Sequence, residues 1–475
     1  MRCRLGRLVL LFLLVMAGAA GRLRAQEPPK PEWAKLSDEA TLWLAELIRI
    51  NTANPPGNEL AAAKYLAGIL EKEGIPAEVL ESAPGRGVVI ARLRSSAVPD
   101  PSRALLLMGH LDVVGVQKEK WSVDPFGGVL KGGYLYGRGA IDDKGMVIAN
   151  LAVLVALKRG NVRLDRDVIF LAEGDEEEGG DYGMNFVIDK HWDKIAAGFA
   201  INEGGRVKLK DGKVEYVGVQ ASEKIPVNVA VIANGTSGHG SQPRKDNAIV
   251  HLAAAVAKIG AYVPPAKPNT IVRRYFEQLA KIEDPDTAKW IRALETPERM
   301  EHAARVLSEV SPIWNSMLRN SIAPTILRAG IRANVVPSEA RANLNIRLLP
   351  GESIGPLVEE LRKLVNDPQI RFEVESSLRP PAPPSSIETE LYRTIERVSP
   401  TVFPGAVVLP FMSTGATDSA QLRLRRVEAY GLLPFPLKEE DELRMHADDE
   451  RIPLDSFRKG IEYLYRVVEE FARAK

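Results

Sequence analysis

The stretch ALLLMGHLDVV, residues 104–114, is an almost unbroken apolar run that contains a histidine and an aspartate near its end. A run without polar alternation is typical of a central strand covered on both faces. Two further runs, DVIFLAEGD (167–175) and GFAINEGG (198–205), have the same character, and the helical pattern GMVIANLAVLVALKRG (145–160) lies between the first two. Alternating buried strands and helices predict an α/β sandwich.

The overall composition is that of an ordinary globular protein. Of the 475 residues, 45% are hydrophobic and 26% are charged. This length corresponds to about two to four domain-sized units. The formal net charge is +1 and gives no strong basic field, so the sequence predicts no nucleic-acid partner.

The N-terminus has the pattern of a signal peptide. Arginines within the first seven residues precede LVLLFLLVMAGAAG (8–21), an apolar run too short to span a bilayer comfortably. Cleavage after Ala25 would remove residues 1–25 with their five arginines and change the formal net charge from +1 to −4. We predict an exported protein, periplasmic or secreted, with no stable membrane span after processing. The alternative is a retained N-terminal anchor helix.

The sequence pattern changes near residue 222 and changes back near residue 380. Between these points lie the strand pattern KIPVNVAVIAN (224–234), the helical pattern NAIVHLAAAVAKIGAY (247–262), a charged helical stretch (275–320) and the alternating pattern EARANLNIRLLP (339–350). This order is typical of a β-α-β-β-α-β insert with an extra helical segment. We predict that residues 26–222 and 377–475 form one catalytic domain and that residues 223–376 form an inserted lid and dimerisation domain.

A histidine and an aspartate stand at the end of the first apolar run. His110 and Asp112 are two residues apart, so both side chains can lie on one face of a strand. A carboxylate that orients an imidazole is the usual companion of a metal-bound histidine. A buried histidine beside a structural aspartate is the common alternative.

Several acids stand at strand ends or at the start of a helix. The segment GRGAIDDKG lacks the third glycine of a dinucleotide fingerprint and places Asp142 and Asp143 at a helix entrance, where one of them could be the N-cap. The run from Asp175 to Glu178 and the single Glu203 follow buried strands. Ligands of open α/β sheets bind at this edge, and unpaired buried carboxylates are costly. The acid run therefore predicts a bound cation, and Glu178 is interpreted as solvated.

The other histidines differ in their surroundings. His446 lies in RMHADDERI, and a surface-loop histidine is the alternative interpretation. His239 in GHGSQP is flanked by glycines, which indicates a special turn or a close backbone approach. The remaining ones lie on polar or helical stretches without acidic partners and are interpreted as structural or surface residues, namely His191, His251 and His302.

Taken together, these residues form a donor set of two histidines and three or four carboxylates. The only cysteine, Cys3, lies within the predicted signal peptide, so no thiolate can contribute. Such a set suits a pair of zinc or similar divalent ions.

Six motifs, in this order, resemble those of one family of enzymes: HLDVV, GRGAIDDKG, GDEEEGG, NEGG, GHGSQP and RMHADDER. They are similar to the dinuclear zinc hydrolases that include aminoacylase, acetylornithine deacetylase, succinyl-diaminopimelate desuccinylase and glutamate carboxypeptidase. The resemblance implies a zinc-peptidase-like α/β/α sandwich with an inserted, ferredoxin-like α+β lid. The helical insert, SEK (222–224) and STGATDS (413–419) are most similar to the branch of Gly-Xaa carboxypeptidase and the N-fatty-acyl amino acid hydrolases.

The resemblance also implies two metal sites. One zinc ion would be bound by His110, Asp142 and Glu203. The second would be bound by Asp142, Glu177 and His446, so that Asp142 bridges the pair; Co²⁺ or Mn²⁺ could replace zinc. The peptide bond between Asp142 and the following aspartate would be cis, as in relatives.

Further roles are implied around these sites. Asp112 would orient the first histidine ligand, and Glu176 would be the general base. The acid run leaves an ambiguity of one residue, so Glu177 and Glu178 could exchange roles.

In the lid, the resemblance implies a clamp for the substrate. Asn334 and Arg347 would hold its carboxylate, for which the planar fork of an arginine is suited. His239 would stabilise the oxyanion, in some relatives from the partner subunit, and a homodimer through the lid is one arrangement that would allow this.

The predicted reaction is hydrolysis of the amide bond of an N-acyl amino acid or short peptide with a free C-terminal carboxylate, by attack of a bridging water. The alternative within enzymes is a zinc aminopeptidase, which needs a free substrate N-terminus and has no need of Arg347. The alternative from another class is a non-catalytic binding protein on the same fold. The complete ligand set and Glu176 argue against it.

Overall fold

The computed structural model describes residues 32–375, 377 and 379–474. The predicted signal peptide lies outside the described residues. Among the helices of the described part of the chain, none combines the length and the apolar character needed to cross a membrane.

The first segment of the chain supplies most of the central sheet. The strands of this segment are β1 (Ala77–Ala83), β2 (Arg86–Leu93), β3 (Leu105–His110), β4 (Val129–Lys131), β5 (Tyr134–Tyr136), β6 (Val168–Glu173), β7 (Phe199–Asn202), β8 (Arg206–Lys210) and β9 (Lys213–Glu223). All of them except β4 and β5 belong to the central sheet. Its helices are α1 (Trp33–Arg49), α2 (Glu59–Lys72), α3 (Lys144–Arg159) and α4 (Met184–Ile195).

The middle of the chain forms a second, four-stranded sheet and a two-stranded one. Its strands are β10 (Ile225–Asn234), β11 (Gly238–His239), β12 (Ser321–Ala329), β13 (Val335–Val336), β14 (Glu339–Leu348) and β15 (Ile370–Val374). Its helices are α5 (Ala248–Ala261), α6 (Thr270–Leu279), α7 (Pro285–Ala293), α8 (Pro297–Val310), α9 (Pro312–Leu318) and α10 (Ile354–Val365).

The last segment returns to the central sheet. Its helices are α11 (Glu390–Val402), α12 (Ser419–Leu424), α13 (Glu439–Glu442) and α14 (Leu454–Ala472). Its strands are β16 (Val407–Ser413), β17 (Glu428–Gly431), β18 (Pro436–Leu437) and β19 (Arg451–Pro453).

The central sheet is mixed, and its order is β1-β2-β6-β3-β7-β17-β9-β8-β18, with β16 paired to β9. Strand β3 lies between β6 and β7 and is parallel to both. Leu105 and Leu107 of β3 pack into the core on one face, and Leu106 and Met108 pack into the core on the other. This explains the unbroken apolar run, since helices cover both faces, and it confirms the predicted α/β/α sandwich.

The inserted lid has the predicted ferredoxin-like order. Its antiparallel sheet runs β12-β14-β10-β15, and α5 and α10 pack on one face. Along β14 the even-numbered residues from Ala340 to Leu348 are buried under these helices, which explains the alternating pattern. The odd-numbered side chains, including Arg347, therefore lie on the sheet face away from the helices.

The charged helical stretch differs from its predicted place. The sequence assigned it to the lid, but apolar side chains of α6, α7, α8 and α9 belong to the core cluster of the catalytic domain. The rings of Tyr275 on α6 and Phe411 on β16 lie 5.9 Å apart. Helix α6 has one strongly apolar face, and it buries that face against β16 rather than against the lid sheet.

Candidate metal centre

Polar side chains converge at the carboxyl ends of β6, β3 and β7, which are neighbours in the sheet. His110 is the last residue of β3, and its Nε2 lies 3.1 Å from Asp142 Oδ1 and 3.9 Å from Glu203 Oε2. Glu203 follows β7 directly, and Asp142 comes from the loop before α3. Three predicted ligands from distant parts of the sequence are therefore brought together.

The other oxygen of Asp142 faces a second histidine. His446 Nε2 lies 3.0 Å from Asp142 Oδ2 and 3.0 Å from Glu177 Oε1. In the acid run after β6, Glu177 is thus the residue in contact with His446. The two oxygens of Asp142 contact two different imidazoles, which is the arrangement that a bridging carboxylate needs.

The separations of these atoms suit a metal ion. Ligand atoms about 2.0–2.2 Å from a tetrahedral ion lie about 3.3–3.6 Å from one another. The separations of 3.0–3.9 Å between imidazole and carboxylate atoms bracket this range. Two overlapping groups of side chains each offer ligand atoms within 4.8 Å of one another, namely His110 with Asp142 and Glu177, and His110 with Glu176 and Glu203. The nitrogen and oxygen donors present fit a pair of divalent ions.

The electrostatics of the cluster also favour cations. Burial would raise the pKa of Asp142, but hydrogen bonds with His110 and His446 outweigh it and lower the pKa. Burial raises the pKa of Glu203 well above its usual value, and the charge of Glu176 adds to the rise. Hydrogen bonds with Asp142 and Glu177 raise the pKa of His446 to about 10. The ionised form of each of these carboxylates is therefore stabilised only where a positive charge lies beside it.

Asp112 connects β3 to the acid run. Its Oδ1 accepts a hydrogen bond from the backbone N–H of Glu176 at 3.0 Å, and its Oδ2 accepts one from that of Glu177 at 3.2 Å. The Nδ1 atom of His110 lies 3.4 Å from Asp112 Oδ1 and 2.9 Å from the Asp112 carbonyl oxygen. One aspartate therefore orients an imidazole and fixes the backbone that carries two further site residues.

Asp143 occupies the N-cap position of α3, as the sequence allowed for one of the two aspartates. Its side chain, however, makes no capping hydrogen bond. Instead its Oδ2 accepts a hydrogen bond from the backbone N–H of His110 at 3.1 Å. The Asp142–Asp143 peptide bond is cis, as the resemblance implied.

Sequence reasoning missed Glu450, which lies in the same segment as His446. This buried carboxylate accepts hydrogen bonds from the backbone N–H groups of Gly139, Ile141 and Asp142 at 2.8–3.1 Å. It also pairs with the buried Arg138 at 2.8 Å. The only signal in the sequence was the acidic character of RMHADDERI, which does not distinguish a buried acid from a solvated one.

A second missed group supports the start of the acid run. Asp175 has a left-handed backbone conformation, with φ of 68°. Its Oδ1 accepts hydrogen bonds from Asn54 at 3.0 Å and from Arg86 at 2.8 Å. Arg86 also binds Glu59 through two nitrogens. These partners lie far along the sequence, in segments without a motif.

The predicted lid residues fall into two places. Gly240 N donates to the Asn334 carbonyl oxygen at 2.8 Å, and β11 pairs with β13, so His239 and Asn334 are neighbours. Arg347 is opposite Pro226, at the other end of the sheet, where the chain enters the lid. Eight residues of strand between Glu339 and Arg347 alone span about 26 Å. Within one chain, Asn334 and Arg347 therefore do not lie together.

The remaining histidines are not part of the cluster described above. His191 and His302 pack against the rings of Phe186 and Trp290. His251 was predicted to have no acidic partner, but its Nδ1 lies 2.6 Å from Asp367 Oδ2 within the lid. This pair joins α5 to the loop before β15.

The family model of peptidase family M20/M25/M40 matches residues 106–470. Human N-fatty-acyl-amino acid synthase/hydrolase PM20D1 (Homo sapiens) is 31% identical over 381 residues, which are 78% of this chain and 74% of that protein. The chain belongs to peptidase family M20/M25/M40. A probable carboxypeptidase S-like protein of Dictyostelium discoideum is 29% identical over 77% of this chain and 71% of its own length.

The fold of this M20-family chain is also that of solved members. A metallo-carboxypeptidase of the family from Sulfolobus solfataricus superposes with a TM-score of 0.68 at 22% identity, over 91% of this chain and 99% of that one. With its family, its homologues and its assembled donor set, the protein is a metallohydrolase of the carboxypeptidase and aminoacylase type.

Proposed function

We propose that the protein hydrolyses the amide bond of N-acyl amino acids or short peptides whose C-terminal carboxylate is free, with two zinc ions held by His110, Asp142, Glu177, Glu203 and His446. The observation that carries the choice of substrate is Arg347. Among the described residues, no carboxylate lies within ion-pair distance of its guanidinium. Its Nε donates to Asn345 Oδ1 at 3.1 Å, and within the described part of the chain its two terminal nitrogens have no hydrogen-bond partner.

The surroundings of Arg347 favour an anion. The side chain is half-buried, and burial lowers its pKa. Burial lowers the pKa of the nearby Lys224, and the charge of Arg347 lowers it further. A guanidinium that has no ion-pair partner among the described residues would be stabilised by a bound carboxylate, and its fork matches the two carboxylate oxygens. A free C-terminal carboxylate has this chemistry.

Glu176 is the proposed general base. It adjoins the Glu177 ligand, and it forms a group of ligand atoms with His110 and Glu203. It would take a proton from the attacking water and deliver it to the leaving nitrogen. When bound, divalent ions lower the pKa of water to about 7 and polarise a carbonyl group. Glu176→Ala should therefore retain metal and lose turnover by orders of magnitude.

His239 and Asn334 are proposed to act on the active site of a second copy. They lie at the end of the lid sheet that is distant from Arg347. The lid also has an exposed edge strand, β12, on which Ile326 and Leu327 are exposed. Open, apolar edges of this kind pair readily with another chain. A homodimer through the lid would cover β12 and could carry His239 to the partner's site.

The experiment that tests the substrate class measures free-amine release from N-acyl amino acids and dipeptides, each with its carboxylate free or amidated. A chelator control identifies metal dependence. Chelator-sensitive release from the free acids alone supports the proposal. Release from amidated substrates with free N-termini would instead indicate an aminopeptidase, and no release by zinc-loaded protein would indicate a binding protein. The predicted signal peptide adds the expectation that the substrate is met outside the cytoplasm.

A further inference from the structure

A buried arginine lies directly behind the proposed general base. Arg379 follows the lid in the chain and is 5% exposed. Its Nη2 donates to Glu176 Oε1 at 2.5 Å and to the Glu176 carbonyl oxygen at 2.5 Å. Its Nη1 donates to Asp418 Oδ1 at 2.6 Å. One guanidinium thus binds the side chain and the backbone of the same glutamate.

Asp418 fixes the guanidinium from the other side. This fully buried aspartate precedes α12, and its Oδ1 also accepts a hydrogen bond from Gln421 Nε2 at 3.1 Å. It lies in STGATDS (413–419), one of the segments that carry the family resemblance. The plane of Arg379 is therefore held between a rigid buried acid and the acid run, so its position does not depend on its own flexible stem.

We infer that Arg379 is a positioning residue, which holds the Glu176 carboxylate in the orientation needed for proton transfer. A glutamate side chain has several rotatable bonds, and its carboxylate must lie within hydrogen-bond reach of the water it deprotonates. Two contacts from one planar fork, at the backbone and at the carboxylate, restrict those rotations. The inference rests on the proposed role of Glu176 as the base.

The location of Arg379 also connects this contact to the lid. Ser377 Oγ lies 2.5 Å from the carbonyl oxygen of Pro226 and 2.6 Å from that of Arg379, and its one hydroxyl proton is shared between these two acceptors. Pro226 belongs to β10, the first strand of the lid. The short segment that leaves the lid is thus bound to the strand that enters it, and the residue that contacts Glu176 lies within that segment.

A purely structural role is the competing explanation, since a cation is needed beside buried acids. The Arg379→Lys variant distinguishes the positioning role from the structural one, because it keeps the positive charge but loses the planar fork of donors. If Arg379 positions Glu176, the lysine variant should lose about 10²-fold in kcat, the usual effect of a small misplacement, with KM and metal content unchanged. Arg379→Ala should recover part of its kcat when guanidinium is added at non-denaturing concentration.

Arg166 offers the matched control. It is also 5% exposed and pairs with Glu390 at 3.1 Å, but it precedes β6 and lies at the end of that strand away from the acid run. Arg166→Lys should leave kcat and its response to guanidinium unchanged.

A crystal structure of the metal-loaded Arg379→Lys variant gives a readout that does not need turnover. We expect the Glu176 side chain to change rotamer or lose order, while the metal ligands stay in place. An unaltered Glu176, or a lysine variant with the kcat of the parent protein, would overturn the inference. Absence of any hydrolysis by the parent protein would instead refute the proposed function, and the position of Glu176 in the variant would still decide the role of Arg379.

Discussion

Glu450 Oε1 accepts a hydrogen bond from the backbone N–H of Asp142 at 3.1 Å. Glu450 follows His446 closely in the chain, so it fastens the loop of one predicted ligand to the residue predicted to bridge both ions. Partners that orient metal ligands typically contribute 10–100-fold to metal affinity. We predict that Glu450→Gln weakens zinc binding by about this factor, because the amide cannot accept all of these hydrogen bonds.

Equilibrium dialysis against buffered free zinc measures this effect directly. Asp167→Asn serves as the control, since Asp167 is also a buried carboxylate paired with an arginine, Arg92, at 2.9 Å, but at the amino end of β6. The control should be destabilised without a change in zinc affinity. Equal zinc affinity in Glu450→Gln and the parent protein would show that the Asp142 loop does not need this support.

The parts of the fold that the sequence predicted well have one kind of environment along their whole length. Strand β3 is covered on both faces and is apolar throughout, whereas β14 is covered on one face and alternates. Helix α3 is buried along its length between the sheet, α1 and α14, and it ends at Gly160 as predicted. Burial pattern and local chemistry agree in these elements, so periodicity is sufficient to predict them.

The parts that could not be predicted depend on which distant segments meet. The amphipathic faces of α6 and its neighbours fit a lid or a catalytic core equally well, and only the packing against β16 decides between them. Glu450 and Arg379 are single charged residues with no periodic or motif signal. Their roles come from partners that lie hundreds of residues away. The metal ligands were predictable because their motifs place scarce donor types at strand ends.

Arg347 gives a prediction about substrate recognition. Replacing it with methionine removes charge-assisted hydrogen bonds of about 1.5–3 kcal/mol, so kcat/KM for free acids should fall by about 10- to 150-fold. Any residual rate with amidated substrates should not change, because these lack the carboxylate. Initial rates with matched acid and amide pairs measure the difference. Arg341 lies on the same face of β14 but pairs with Glu375 at 2.9 Å, so Arg341→Met is the control. An equal loss for acids and amides would exclude a carboxylate clamp.

Lys224, between β9 and β10, gives a prediction about pH. Its Nζ donates to the carbonyl oxygens of Ser316 and Arg319 at 2.8 and 2.7 Å, and burial lowers its pKa from 10.5 to about 7. The unfolded chain then binds the proton more tightly than the folded chain, so the contribution of Lys224 to stability is lowest below pH 7 and rises from pH 7 to pH 10.5. Lys224→Met should be least destabilised, relative to the parent protein, at low pH.

Urea unfolding at about pH 6 and at about pH 9.5 measures this change, because other titrating groups cancel between the variant and the parent protein. Lys64 is exposed on α2, and Lys64→Met should give the same difference in unfolding free energy at both pH values. A pH-independent difference for Lys224→Met would show that the buried ammonium keeps its proton in the folded protein throughout this range.

The separation of His239 from Arg347 predicts complementation between subunits. Glu176→Ala and His239→Ala should each be inactive alone, because one lacks the base and the other lacks the oxyanion partner. If His239 acts across a dimer, co-expressed chains should recover up to about a quarter of the parent activity, since half of the dimers are mixed and each has one intact site of two. Differently tagged chains allow the mixed dimers to be purified before the assay. Pairing Glu176→Ala with Glu177→Ala is the control, since both changes affect the same predicted metal centre and no mixed dimer would have an intact site. Recovery no greater than in this control would place His239 in its own chain's site or outside the reaction.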